Sequence, residues 1–377
     1  MPNALPLATT LHEDPPSGGA LPARCRLLGS AVCLLAALAL AGCGSTKKLS
    51  NGGAMDTVMY DWLKRDRNPS YYYTLVRDSH DAEGFDYRRS SDPFIVDKNV
   101  DAVQRLGKLQ YERRESQAQV MDLLADVLAD DPSALARTNA ANSLTRLAAR
   151  LPATEVRRRS AGAAELRNLV RSLDAQSAGG TRAVSLVDQL GALDLPTAAL
   201  AREALRPLYT RRFLLETNDA ALRQAVQGAL DVRMRDVARH ALREAIAGDT
   251  AYLREEAVRG LKTLRDTSAQ SAVLRQLARE HEVRVRAEII EYLGTIPSSA
   301  SVAALLPLLE NPDPTLKLKA RQAMTRIAGR DLGFRRVTWT RWAVARYPDL
   351  APAMPADGAG AVSYTHLRAH ETTSLIA

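Results

Sequence analysis

The chain has 377 residues, a formal net charge of +8 and an aromatic content of only 5%. Its three cysteines are Cys25, Cys33 and Cys43, so the rest of the chain has no thiol for a disulfide, a thiolate metal site or a cysteine nucleophile. Ala, Leu and Arg dominate and β-branched residues are sparse, which favours an all-α fold. Arginine supplies most of the positive charge. A positive net charge favours anionic partners, but a high arginine content also arises from a GC-rich genome without any functional demand.

The first predicted element is an export signal. Two arginines precede an apolar run, residues 27–41, which is too short to span a bilayer comfortably and fits the hydrophobic region of a signal peptide. The run ends in Leu-Ala-Gly-Cys at Cys43, which resembles the lipobox of bacterial lipoproteins. The resemblance implies that residues 1–42 are a lipoprotein signal peptide and that Cys43 is the lipidation site. A plain signal peptide or membrane anchor with an incidental Cys43 is the alternative.

A polar segment follows the cysteine. Residues 43–55 are rich in Gly, Ser, Asn and Lys and are predicted to be a flexible, lipidated tether. The residue after the cysteine is Gly44 rather than Asp, which resembles the outer-membrane sorting pattern of enteric bacteria. We therefore expect a lipid-anchored protein of the bacterial cell envelope, on the outer membrane and facing the periplasm.

Residues 56–100 hold a large share of the aromatic side chains of the chain. We interpret this segment as an N-terminal cap, because the first unit of a repeat stack must cover apolar surface that no preceding unit covers. Three consecutive tyrosines, Tyr71, Tyr72 and Tyr73, are alternatively an exposed aromatic contact patch.

Helical repeats are predicted over residues 101–329. An apolar residue followed by a basic residue recurs along this segment, with further apolar or small residues at offsets of four and eight; the pairs are Ala136-Arg137, Leu222-Arg223, Leu253-Arg254, Val285-Arg286 and Leu316-Lys317. At about 100° per residue, these offsets form one buried helical stripe. The last four pairs start 31 or 32 residues apart, which is room for two helices and two tight turns, and short acidic or proline-bearing turns precede the striped helices.

These features resemble the short bacterial HEAT-like repeat. The resemblance covers roughly residues 101–347, is strong over 219–329, and is weak over 152–217, where glycines and a proline interrupt the rhythm. It implies a right-handed α-solenoid of helical hairpins with aromatic-rich N- and C-terminal caps, in which neighbouring units bury a continuous core. Residues 330–347 are expected to be the C-terminal capping helix.

The resemblance also suggests a role for the basic residue of each pair. In HEAT-like folds this residue bonds turn carboxylates within and between repeats, which would make a structural ladder of Arg137, Arg223, Arg254, Arg286 and Lys317. The alternative is that the same ladder contacts an anionic partner.

The end of the chain has a different character. Residues 348–361 are rich in Ala, Pro and Gly and are predicted to be a disordered tail, whereas residues 362–377 resemble translated sequencing-adapter sequence. For this reason His366 and His370 are not interpreted as metal ligands.

A protein-binding scaffold or adaptor with an unidentified protein partner is the function that these features favour. Binding of an anionic envelope polymer or lipid through Arg-rich faces is the alternative, and a HEAT-like enzyme such as a bilin-lyase-like protein is a less favoured one. The sequence has no phosphate loop, nucleophile elbow or Cys/His metal spacing, and its one His-Glu pair between the tether and the adapter-like end, His281-Glu282, cannot assemble a di-iron site. We therefore expect no enzyme, catalytic residue, cofactor or metal, and the export signal argues against nucleic acid.

Overall fold

The computed structural model of the protein describes residues 72–77, 93–152, 157–176 and 180–353. The predicted signal peptide, Cys43, the tether, Tyr71 and the adapter-like end lie outside the described residues. In the described ranges, none of the helices combines the length and the continuous apolar character that crossing a bilayer requires.

The structure is built from α-helices, with a helical segment at residues 72–77 before them. The helices are α1 (Pro93–Leu106), α2 (Arg114–Asp130), α3 (Ala134–Ala149), α4 (Ala163–Asp174), α5 (Thr181–Ala192), α6 (Ala198–Thr210), α7 (Arg212–Leu215), α8 (Ala220–Ala245), α9 (Ala251–Thr263), α10 (Gln270–Arg279), α11 (Val283–Leu293), α12 (Ser299–Leu305), α13 (Pro314–Ala328) and α14 (Arg336–Arg346). Short 3₁₀ helices occupy Thr267–Ala269, Pro307–Glu310 and Pro348–Ala353. The predicted all-α solenoid is confirmed.

The predicted stripes form the core of one helix layer. Helices α3, α9, α11 and α13 pack side by side in that order, and α1 packs against α3. Their stripe residues at offsets zero, four and eight are all buried, for example Leu144, Leu261 and Leu293, each with 0% exposure. Polar side chains begin these helices: Ser133, Thr250 and Asp313 accept hydrogen bonds from backbone amides of the first turn.

The copy that begins at Leu222 differs from the prediction. The regular spacing predicts a hairpin there, but residues 220–245 form the single helix α8. Its interior has no proline or asparagine to end the helix. The stripe Leu222, Val226 and Leu230 is buried all the same, and α8 packs both on α2, α3 and α9 and on the two helices α5 and α6.

Residues 157–219 are an insertion into the repeat stack. Helices α5 and α6 pack on α8, and α6 also packs on α2. Two short strands, β1 (Arg159–Ser160) and β2 (Leu193–Asp194), pair in parallel, with Arg159 opposite Leu193. Because α2 packs on α8 and α3 packs on α9, the stack continues directly from the first hairpin to the next one.

Aromatic residues close both ends of the described core. Tyr72 is 5% exposed and belongs to the core, and Trp339 is completely buried on α14. The first part of the predicted disordered tail is ordered: residues 348–353 form a 3₁₀ helix against α12 and α14, and Leu350 is buried in the core.

Candidate interaction surfaces

Two members of the predicted ladder, Arg137 and Arg254, join neighbouring repeats. Arg137 donates to both carboxylate oxygens of Asp249 at 2.7 Å and to the carbonyl oxygen of Asp131 in its own turn. Arg254 donates to Glu280 at 2.7 and 2.9 Å and to the carbonyl of Gly248 at 3.0 Å. Each guanidinium thus bonds its own turn and a carboxylate at the next turn in the stack. These two arginines have little charge left for an anionic partner.

The other members of the ladder are placed differently. Arg223 and Lys317 are exposed, and the Nε of Arg286 is buried without a hydrogen-bond partner among the described residues. Arg254 bonds Glu280, which lies six residues before Arg286 in the next repeat. The corresponding position for Arg286 lies six residues before Lys317, but that residue is Asn311, which has no carboxylate. The ladder is continuous in sequence but not in its contacts.

Burial and ion pairing together set the charge state of Glu280. Burial alone would raise the pKa of this carboxyl, but hydrogen bonds from Arg254 and Gln276 outweigh that effect and lower the pKa to about 2. Its side chain is only 2% exposed. The ion pair is therefore a structural element inside the stack.

An outer charge network crosses the solvent side of α9, α11 and α13. Lys262 of α9 contacts Glu288 at 2.5 Å and Glu291 at 2.7 Å on α11, and Lys319 of α13 also contacts Glu291. Burial would raise the pKa of Glu291, but hydrogen bonds from the two lysines lower it to about 2. The network connects three successive units and leaves their outer face close to neutral.

Exposed apolar side chains follow one edge of the same helix layer. We call this set the apolar edge; its members are Leu135 (59% exposed), Tyr252 (63%), Val283 (39%) and Leu318 (50%). Each lies in the first two turns of α3, α9, α11 or α13, so the four side chains follow the order in which these helices stack. The guanidinium of Arg284 lies 4.2 Å from the centre of the Tyr252 ring and carries charge into the same edge.

A polar cleft of about 450 Å³ lies between the insertion, α8 and the turn after α9. Two ion pairs in its wall join Arg158 to Asp236 at 2.6 Å and Arg243 to Asp266 at 2.6 and 2.8 Å. Burial, and then the charge of Arg243, lower the pKa of His240, so this imidazole is neutral at neutral pH. Among the described residues, no group of three or more His, Cys, Asp or Glu side chains lies close enough to hold a metal ion. Four of the charged side chains in the cleft wall are thus already engaged with one another.

Arginines of α8 hold the ends of other helices, a role that the sequence analysis missed. Arg235 donates to the carbonyl oxygens of Leu151 and Pro152 at 2.6 and 2.7 Å, and Arg239 donates to that of Leu264 at 3.1 Å. These carbonyls follow the last turns of α3 and α9, where helix carbonyls lack intrahelical partners. The spacing of four residues between the two arginines is the signal that places both on one face.

The predicted aromatic patch is not fully exposed. Tyr72 packs in the core with the Arg105 guanidinium 5.5 Å from its ring centre, and Tyr73 is half-buried with Arg77 at 5.9 Å. These placements suit a cap better than an exposed patch.

The architecture defines an all-α repeat protein of the solenoid class. Residues 239–325 match the family model described as HEAT repeats, so this part of the chain carries HEAT-like repeats, in agreement with the resemblance seen in the sequence. No curated protein matches the chain. Among solved structures, an engineered protein is 14% identical, with 69% of this chain and 97% of that chain covered and a TM-score of 0.26. A designed armadillo repeat protein in complex with the peptide (KR)4 is 12% identical, with 68% and 99% covered and a TM-score of 0.25.

Proposed function

We propose that this chain is a non-catalytic, membrane-anchored scaffold of the cell envelope that binds a protein partner along the apolar edge. The observation that carries the proposal is that four exposed apolar side chains come from four successive stacked helices and not from one loop. Single exposed apolar residues are ordinary on protein surfaces, but a row of them indicates an interaction site.

The spacing of the row suggests the form of the partner. Packed helices lie about 8–10 Å apart, and a polyproline II segment advances about 3.1 Å per residue with three residues per turn. Apolar side chains at every third residue of such a segment share one face, so they would place one anchor at each helix. The outer charge network beside the edge would select its polar residues by complementary charge.

Site-specific photo-crosslinking in intact cells tests this proposal. A photoreactive residue at Leu135, Tyr252 or Leu318 is expected to capture the same protein, and Tyr252→Ser is expected to abolish capture from the other two positions. Ser271, exposed on α10 outside this helix row, is the matched control position. Different products from each edge position, or the same product from Ser271, would contradict the proposal.

The anchor has a separate test. Lipid on Cys43 would explain the lipobox-like sequence and the polar tether, and the repeat core uses no cysteine. Cys43→Ala is therefore expected to give a protein that folds but is not acylated and is either unanchored or unprocessed, as followed by lipid labelling and fractionation. Lipid labelling that persists in this variant would rule out the proposed anchor.

A further inference from the structure

The C-terminal cap carries an excess of positive charge that the protein itself does not neutralise. Between residues 321 and 350 there are seven arginines and only two acidic residues, Asp331 and Asp349. Asp331 is bonded to Arg321, and Arg336 is paired with Glu310 of the preceding unit at 2.9 Å. The remaining charge is thus carried by arginines that no carboxylate within the described residues engages.

Two exposed apolar side chains lie among these arginines. Phe334 is 69% exposed and Val337 is 56% exposed. We call this surface the basic tip; its members are Phe334, Val337, Arg330, Arg335, Arg341 and Arg346, all exposed.

Helix α14 gives this surface an outward face. Trp339 and Ala343, four residues apart, are buried. Val337, Arg341 and Ala345 are also four residues apart and are all exposed, so they form the opposite, outward face. The indole of Trp339 donates to the carbonyl of Gly333 at 2.9 Å in the loop before α14, and the ring centre of Phe334 in that loop lies 3.7 Å from the guanidinium of Arg321 on α13.

From this arrangement we infer that the basic tip docks on an anionic phospholipid surface. Exposed arginines on α14 and the loop before it, which no carboxylate among the described residues engages, fit a diffuse sheet of negative charge better than a single anionic group, which needs converging donors. An exposed phenylalanine and valine among them match the apolar component of interfacial binding. The tip adjoins the last member of the apolar edge, because Leu318 and Arg321 line one cleft and Phe334 lies on Arg321, but its vesicle test does not depend on the crosslinking test of that edge.

Vesicle sedimentation of a chain that begins at residue 44 tests the inference, because this chain lacks both the proposed acyl anchor and the apolar run 27–41. The protein is expected to bind vesicles that contain phosphatidylglycerol at low salt, to leave them at high salt, and to ignore pure phosphatidylcholine. Each arginine near an anionic surface contributes about a fivefold gain in affinity, so Arg335→Gln, Arg341→Gln and Arg346→Gln together should weaken binding about a hundredfold. Phe334→Ser should remove the part of the binding that resists salt.

A matched control separates the tip from overall charge. Arg182, Arg223 and Arg275 are also exposed and have no carboxylate partner among the described residues, so their triple change to Gln alters the net charge equally. This control is expected to bind vesicles like the parent chain, and melting temperatures establish that both triple variants are folded. Equal losses in the two variants, unchanged binding of the tip variant, or equal binding to neutral vesicles would overturn the inference.

Discussion

Arg254 and Arg286 occupy the same position in adjacent repeats but have different contacts. Arg254→Ala leaves the Glu280 carboxylate, 2% exposed, without its guanidinium. Loss of one partner of a buried pair costs about 3–5 kcal/mol, whereas Arg286→Ala removes a side chain with an unpaired Nε and should cost less than about 1 kcal/mol. Urea denaturation of the two variants measures this difference, and equal losses would show that the ladder is uniform.

The low pKa of Glu280 makes the stability of the fold depend on acid pH. Its folded pKa of about 2 lies below the ordinary value of 4.5, so the ion pair stabilises the folded state above pH 4.5 and this contribution is lost as the pH falls toward 2. The full contribution is about 3 kcal/mol. The free energy of unfolding should therefore fall less steeply between pH 5 and pH 2 in Glu280→Gln than in the parent chain. Parallel curves would contradict this assignment.

Residue periodicity predicted the buried stripes because it depends only on the geometry of a single helix. Leu144, Leu261 and Leu293 lie in the core as the offsets of four and eight require. The partners of the ladder were not predictable in the same way. Asp249 is 112 residues away from Arg137, and the sequence alone gives no sign that the intervening insertion packs to one side.

At the scale of elements, the merged helix α8 shows a limit of repeat spacing. The spacing of 31 residues between Leu222 and Leu253 does not show whether the chain between them reverses at a turn or continues as one helix. The spacing of the Leu222 copy is therefore regular although the copy has no hairpin. What decides between the two outcomes is the packing of α5 and α6 on α8, which buries the stripe without a hairpin. The weak rhythm over 152–217 was the only sequence signal of the insertion.

Two helix-associated glycines should respond in opposite ways to alanine. A Cβ at Gly228, inside α8, would meet no atom within 4 Å, so Gly228→Ala should stabilise the fold by about 0.5–1 kcal/mol. A Cβ at Gly294, at the end of α11, would lie 2.7 Å from the Cβ of Ala323 and 2.8 Å from its Cα. Gly294→Ala must therefore push α11 and α13 apart and should lower the melting temperature, whereas Gly228→Ala should raise it. A gain from both changes would refute the close approach of α11 and α13.

At the scale of the whole molecule, the order of units in space differs from their order in sequence. Helix α9 packs on α3, from which it is separated in sequence by the insertion, and on α11. Helix α4 lies nearer to α9 in sequence than α3 does but packs mainly within the insertion, on α5 and α6. Contacts in a solenoid run mainly between nearest neighbours, so a local defect should spread through the stack and not along the chain.

The variant Leu261→Ala tests whether a local defect spreads through the stack or along the chain. Leu261 is fully buried on α9, and its truncation should cost about 2–5 kcal/mol through lost burial and the cavity that remains. Hydrogen exchange should then accelerate in α3 and α11, the two helices beside α9, while α4 keeps its protection. Leu293→Ala, on α11, is the matched control and should loosen α9 and α13 but leave α3 nearly unchanged. Equal loosening of α4 and α3 by Leu261→Ala would contradict this order of units. It would mean that the insertion is part of the stack and that the first hairpin, α2 and α3, does not pack directly on α8 and α9.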